Sequence, residues 1–168
     1  MKIQTTIDNV RSSLITEFAQ SHIPSRIQLG TGNIFQVGII QSLHQESNMC
    51  IQLAYEGTVE LSRFGGGNWS RDWLLGVGIY VETSQDILDQ NTQAAQDTIY
   101  IAQICSQIIH MYDDFAADEI VSTNEIIEQI SESTIDLISI NDHEYLTIRQ
   151  QYRILGPIYG YTEFKAIN

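Results

Sequence analysis

The chain has 168 residues, a length that fits one domain. Hydrophobic residues make up an ordinary 43%, but only 17% are charged, and 16 glutamines supply much of the remaining polarity. The formal net charge of −13 argues against tight binding to nucleic acid or to an anionic membrane, because like charges repel. Two cysteines without CxxC spacing exclude a disulfide scaffold. With no apolar run long enough to span a bilayer and no leader-like start, we expect a soluble intracellular chain.

The charge is unevenly distributed along the chain. Residues 1–84 hold 5 basic and 7 acidic side chains, whereas residues 85–168 hold 3 and 14. The second half should therefore carry a strongly negative surface. No linker-like stretch and no internal repeat divides the chain, so we expect a single α+β domain over residues 1–168.

The N-terminal segment predicts an amphipathic helix. Thr5 or Thr6 can cap it, and it should end before Pro24, since the residue preceding a proline disfavours helical geometry. Apolar residues spaced three and four apart define its buried stripe, namely Ile7, Val10, Leu14 and Phe18.

The next segments predict strands. A β-branched run at 34–40 and an alternating run at 49–55 fit two strands, and Glu56-Gly57 fits a turn that leads into a third strand at 58–63. These elements would form a meander.

The clearest strand pattern follows a glycine-rich loop at 64–70. Apolar residues alternate from Trp73 to Val81. Gly76 and Gly78 fall on one face of this strand, which predicts that a helix or backbone packs closely over that side.

The second half predicts a long helix from Thr83 or Ser84 to about Tyr112, then an acidic loop at 113–119. A capping box at 122–125 favours a short helix through Ile130. Strands are expected at 134–140, 145–155 and 159–167. The predicted fold is therefore α+β, a mostly antiparallel sheet with an N-terminal helix and a long central helix packed on it.

The glycine-rich loop does not carry a nucleotide signature. No lysine follows the glycines as in a P-loop, and a strand follows where the dinucleotide fingerprint needs a helix. An exposed loop between two strands is the simpler interpretation. The flanking aromatic residues Phe64, Trp69 and Trp73 fit either core anchors or contacts between subunits, since tryptophan is enriched at interface hot spots.

Motifs for metal binding and catalysis are lacking. The histidines at 22, 44, 110 and 143 show no zinc spacing, and the acidic cluster near 113–119 lacks the order of an EF-hand. Ser70, Asp72 and a histidine could be imagined as the catalytic triad of a hydrolase. The G-x-S-x-G motif that would support this interpretation is absent, so their presence fits coincidence. We expect no enzyme activity and no cofactor. The glutamines of the long helix fit a solvated face or a packing face against identical subunits.

Four features follow one another along the chain: the helix at 6–20, the strands ending at 73–81, the helix at 85–112 and the closing run Leu155-Gly-Pro-Ile-Tyr-Gly-Tyr161. In this order they resemble the tail terminator proteins of long-tailed bacteriophages. The resemblance covers nearly the whole chain in size and element order, without a residue motif. It implies a homo-oligomeric ring, a hexamer, that caps the tail tube and joins it to neck and head-completion proteins. Double-stranded DNA would pass through without specific binding, and no membrane would be contacted. Such a protein belongs to the virion and, during assembly, to the host cytoplasm.

Within this resemblance, two sets of residues acquire expected roles. The subunit or partner interface would comprise Phe64, Gly65, Gly66, Gly67, Asn68, Trp69 and Trp73. The acidic lumen or rim would comprise Asp113, Asp114, Asp118, Glu119, Glu125 and Glu128. Negative charge around the bore would repel the DNA backbone over about 10 Å at ordinary salt.

Acidic chaperones of type III secretion systems offer an alternative, since they are also small α+β proteins with a long helix. They act as dimers that wrap an unfolded effector segment. A chaperone needs a self-complementary dimer helix and open apolar grooves, whereas a ring needs two different complementary faces.

Overall fold

Two helices lie on one face of a six-stranded sheet in the computed structural model, which describes residues 2–27, 35–37, 49–64, 68–84, 92–116, 126–140 and 142–159. The α+β class predicted from the sequence is confirmed. In chain order the elements are α1 (Lys2–Phe18), a 3-10 turn (Ser25–Ile27), β1 (Phe35–Val37), β2 (Met49–Phe64), β3 (Asn68–Thr83), α2 (Gln93–Ala116), β4 (Ile126–Glu132), β5 (Asp136–Ile140) and β6 (His143–Tyr159).

The sheet is organised around three long strands. Its order is β1-β2-β3-β6-β4, and β5 also pairs with β6, beside the N-terminal part of that strand. Every pair is antiparallel except the short parallel pair of β1 with β2. β3 pairs with β6 from Trp69↔Tyr159 to Thr83↔Glu144, almost the full length of both strands.

The core lies between the sheet and the helices. Because side chains alternate along a strand, the odd-numbered residues from Trp73 to Val81 in β3 all face α1 and α2. The predicted stripe of α1 is buried against them, with Ile7, Val10, Leu14 and Phe18 each at most 2% exposed. Its helix begins earlier than the threonine cap predicted from the sequence. Neither described helix is both long and apolar enough to cross a membrane.

The turn predicted at Glu56-Gly57 is wrong, because β2 runs through it as one strand. The register with β3 shifts between Tyr55 and Thr58, and Gly57 has a φ of 105°. Glycine supplies this left-handed geometry for a bulge as readily as for a turn. The reversal of the chain comes later, between Phe64 and Asn68, which form a Cα pair. Phe64 and 68–70, expected in a loop, are therefore strand residues.

Two expectations in the second half also need correction. The short helix predicted through Ile130 is wrong over 126–130, where β4 pairs with β6 and tertiary pairing overrides the local capping signal. Residues 113–116, expected in a loop, belong to α2.

The start of α2 differs from the expected one as well. The helix begins at Gln93, and Thr92 caps it, since the Ala95 amide donates to Thr92 Oγ1 at 3.2 Å. Three expected segments lie outside the described residues, namely the beginning of the long helix at 85–91, most of the strand at 159–167 and the ends of the strand at 34–40.

A polar network crosses the core between α2 and the sheet. Gln150, on β6, is 2% exposed, and its Nε2 donates to the Ala102 carbonyl oxygen at 2.8 Å and to Glu132 Oε2 at 2.7 Å. The Tyr152 hydroxyl donates to Gln150 Oε1 at 2.9 Å. Ser106 Oγ, on α2, donates to Gln129 Oε1, on β4. Each buried polar atom named here thus has a partner, as burial away from water requires.

Removing the Tyr152 hydroxyl should destabilise the fold. Tyr152→Phe leaves Gln150 Oε1 without this donor in a buried site, so we expect the free energy of unfolding to fall by about 1–3 kcal/mol, measured by urea denaturation. Tyr55→Phe is the matched control, because the Tyr55 hydroxyl bonds Thr58 at an exposed site. This control should change stability by less than about 0.5 kcal/mol. Equal losses in the two variants would contradict the role of the network.

Stability should also decline in alkali. Burial raises the pKa of Tyr152 above its ordinary value of 10.0, because the ionised phenolate is poorly solvated in the core. As the pH rises, the Tyr152 hydroxyl therefore loses its proton in the unfolded chain before it does so in the folded chain. The stability that the protonated hydroxyl contributes is fully present below about pH 10 and is lost as the pH rises further. We expect the free energy of unfolding, followed from pH 8 to 11.5, to fall less steeply above about pH 10 in Tyr152→Phe than in the parent chain. Parallel curves would contradict this assignment.

Candidate functional site

The face of the sheet opposite the helices is the candidate site, and we call it the open face. No described helix packs on it. Its residues come from three adjacent strands and include Gln52, Ala54 and Glu56 of β2, Asp72, Gly76, Gly78, Tyr80 and Glu82 of β3, and Tyr145, Arg149, Gln151 and Arg153 of β6. The strand alternation that fills the core with apolar residues places these mostly polar residues on the other side.

Glu56 lies at the centre of the open face. The bulge at Gly57 redirects its side chain across β3, where Gly76 has no side chain to oppose it. Arg149 Nη2 donates to Glu56 Oε1 at 2.8 Å, and Gln151 Nε2 donates to Glu56 Oε2 at 2.7 Å. Both carboxylate oxygens are therefore engaged by β6. The prediction that a helix or backbone packs close to Gly76 and Gly78 is wrong, because the nearest groups are the side chains of Glu56, Tyr80 and Gln52.

Two shallow cavities flank this cluster. One, of ≈ 330 Å³, is lined on its far side by Tyr80, Ile138 and Ile140. The other, of ≈ 260 Å³, extends towards β4 and Ser133. Glu56 and Arg149 line both cavities, so the ion pair forms the wall between them.

A second ion pair continues along the open face. Arg153 donates to Asp72 Oδ2 from Nη2 at 2.6 Å and from Nε at 3.2 Å. Asp72 is only 7% exposed, and a carboxylate buried this far is costly unless it has such a partner. The two arginines of the open face are thus matched by two carboxylates, which leaves this cluster close to neutral in a chain whose net charge is −13.

An apolar patch closes one end of the open face. Cys50, Tyr80 and Tyr145 are buried there against Ile138 and Ile140 of β5. Burial raises the pKa of Tyr80 and of Tyr145, so both phenols stay neutral well above physiological pH. The Tyr80 hydroxyl donates to Gln52 Oε1 at 3.3 Å.

The structure bears on three kinds of reactive group, namely a thiol, a cluster of metal ligands and the triad considered from the sequence. Burial raises the pKa of Cys105, which keeps that thiol protonated and a poor nucleophile. In the described part of the chain, no group of three His, Cys, Asp or Glu side chains is placed to hold a metal ion. Asp72, considered for a catalytic triad from the sequence, is held by Arg153 instead.

The predicted interface residues lie at one end of the β2–β3 hairpin. Phe64 ends β2, and Asn68 and Trp69 begin β3. The two strands stay paired up to Phe64 and Asn68, where the chain reverses. Gly65, Gly66 and Gly67 lie outside the described residues.

Trp73 stands apart from this end of the hairpin. It is 4% exposed, and its ring centroid lies 6.0 Å from that of Tyr55. Of the two roles left open by the sequence, Trp73 therefore has that of a core anchor within the chain.

The three predicted acidic residues that the structure describes lie on two elements. Asp113 and Asp114 lie in the last turn of α2. Glu128 is exposed on β4, where it is the cross-strand neighbour of Arg153 in the register of β4 with β6. Asp118, Glu119 and Glu125 lie outside the described residues. The structure therefore does not gather these six residues into one described cluster.

Sequence reasoning missed the pairing of Glu56 with Arg149. These residues are 93 positions apart, and neither belongs to a motif. The only local signal was Glu56-Gly57, which also fits a turn.

No protein-family model matches the chain, and no curated protein matches it significantly. A function must therefore be inferred from the residues and geometry of the chain itself.

The glycine beneath Glu56 can be tested by a double-mutant cycle. A Cβ on Gly76 would collide with the Glu56 carboxylate. Since Arg149 and Gln151 hold that carboxylate in place, we expect Gly76→Ala to lower the free energy of unfolding by about 1–3 kcal/mol. In a Glu56→Ala background the same change should cost less than about 0.5 kcal/mol. An equal cost in both backgrounds, measured by urea denaturation, would show that Glu56 is not the obstacle.

Proposed function

We propose that the protein is a structural ring subunit, the tail terminator of a long-tailed bacteriophage. Copies would close into a hexamer that caps the tail tube and joins it to the neck and head. The observation that carries this proposal is the asymmetry of the sheet, which ends in two unlike edges. The protein would act in the virion, and in the host cytoplasm during assembly, through its shape and surface and without catalysis.

The two edges favour a head-to-tail contact between copies. One edge is β1, described over three residues and parallel to its neighbour. The other consists of β4 and β5, which pair with successive parts of β6, and the β4 pairing has a register shift between Gln129 and Ser131. Exposed edges tend to pair with other chains, and unlike surfaces that pair in a closed rotation generate a ring.

The β2–β3 hairpin supplies a further contact. β2 and β3 each span 16 residues, and β6 pairs with β3 as far as Trp69. A third strand therefore runs beside the hairpin as far as its described end. Uncharged and aromatic residues at this end suit contact with a neighbouring subunit or the tail tube.

The negative charge suits passage of DNA. The acidic residues Asp113, Asp114, Asp118, Glu119, Glu125 and Glu128 follow one another from the end of α2 to β4. Where they border the bore of a ring, they would repel phosphates and let double-stranded DNA slide without binding.

The chaperone alternative has less support. A chaperone needs a continuous apolar groove for an unfolded segment. Among the residues whose side-chain burial the structure describes, the exposed large hydrophobic side chains are Tyr55, Ile99 and Ile130, which lie on three different elements. Scattered apolar side chains of this kind are normal on a protein surface.

The ring can be tested by light scattering and negative-stain microscopy. We expect purified protein to form rings with a mass about six times that of the 19.0 kDa subunit, alone or in the presence of tail tubes. Phe64→Ser/Trp69→Ser should abolish the rings but keep the circular dichroism of the parent chain. Tyr55→Ser, which removes an exposed aromatic residue away from the end of the hairpin, should leave the rings intact.

A protein that stays monomeric at high concentration, also with tail tubes present, would refute the ring. Binding of unfolded peptides by a discrete dimer would support the chaperone instead.

A further inference from the structure

One side of α2 is exposed over nearly five turns and carries no carboxylate, ammonium or guanidinium group. We call these residues the glutamine stripe. They are spaced three or four apart on one helix face, and they are Gln93, Gln96, Ile99, Gln103, Gln107 and His110.

The absence of charge is unusual for this chain, which has 21 acidic residues. Within 92–110 the sole carboxylate is Asp97, and it is turned inward. Asp97 is buried, and it accepts hydrogen bonds from Arg26 and Gln93. The exposed side of α1, by contrast, carries Asp8. The stripe is therefore a surface on which two acidic copies can approach each other without bringing carboxylates together.

The spacing of the stripe is nearly symmetric about its centre. Gln96 and Gln107 lie equally far from the midpoint between residues 101 and 102, and so do Gln93 and His110. When two such helices pair antiparallel about a twofold axis, Gln96 of one copy faces Gln107 of the other. The stripe is about 25 Å long at 1.5 Å per residue, sufficient for a helix pair.

The side chains suit a contact of moderate strength. Ile99 is 40% exposed near the centre of the stripe and would lose that exposure on pairing. Glutamine amides both donate and accept, so facing glutamines can satisfy each other without burying a charge. We propose that the glutamine stripe is a homotypic interface, through which two copies of this chain pair with their α2 helices antiparallel.

This interface is separate from the ring contact proposed above. It uses the outer side of α2, whereas the ring uses the edges of the sheet and the end of the β2–β3 hairpin. The pairing does not depend on the tail-terminator function, and a twofold contact of this kind is compatible with a ring, since it leaves both edges free.

The test uses paired charge substitutions and sedimentation velocity over a concentration series. Gln96→Glu/Gln107→Glu and Gln96→Lys/Gln107→Lys each place like charges opposite one another, so each should raise the dissociation constant of the pair at least tenfold. Mixing the two variants should restore association. Gln96→Glu/Gln107→Lys places opposite charges together in the antiparallel arrangement and should associate at least as well as the parent chain.

Two controls separate this contact from other effects. Ser12→Glu/Thr16→Glu adds the same charge to the exposed side of α1 and should leave the dissociation constant unchanged. Repeating the series in the Phe64→Ser/Trp69→Ser background separates pairing from ring formation. Association of the Glu/Glu variant equal to that of the parent chain would overturn the proposal, as would a parent chain that stays monomeric in that background. Association of the Glu/Lys variant as weak as that of the Glu/Glu variant would overturn the antiparallel arrangement.

Discussion

The packing of two helices against a single face of the sheet is the constraint on which the other features depend. Strand side chains alternate, so the central strands can fill a core on one side only by presenting a second set of residues on the other. On that second side the chain places ion pairs that neutralise each other, Glu56 with Arg149 and Asp72 with Arg153. Arg149 is largely exposed, so its pair contributes less than about 1 kcal/mol to stability. Its main effect is to hold the Glu56 carboxylate in place over Gly76.

The buried network around Gln150 determines how α2 lies on the sheet. Apolar packing alone tolerates small rotations of a helix, because dispersion and burial have little directionality. The hydrogen bond from Gln150 to the Ala102 carbonyl oxygen has direction, and it connects the middle of α2 to the centre of β6. With the helix held in this rotation, Cys105 and Ile109 are buried and the glutamine stripe faces outward. A core contact thereby specifies which surface of α2 is available to partners.

The sequence predicts the parts of this fold that local periodicity encodes. The stripe of α1 and the alternation of β3 each repeat with the period of one element, and both predictions are confirmed. The continuous β2 was missed because Gly57 permits a positive φ in a bulge and in a turn alike. β4 was missed because its capping box is a local signal, whereas its strand depends on pairing with the distant β6. The Glu56–Arg149 pair depends on the bulge in β2 and on the pairing of β3 with both β2 and β6, so no local pattern could indicate it.

Electrostatic repulsion limits the surfaces through which copies of this chain can bind one another. Two copies with a net charge of −13 repel each other, and contact is least costly where charge is absent or already matched. Two described regions meet this condition, the ion-paired part of the open face and the glutamine stripe, and the sequence segment 64–69 carries no charge either. They lie on different elements, so one copy could use more than one of them at once. The carboxylates left unmatched, concentrated in the second half of the chain, would then remain on surfaces that repel further copies, and in the proposed ring they would also repel DNA.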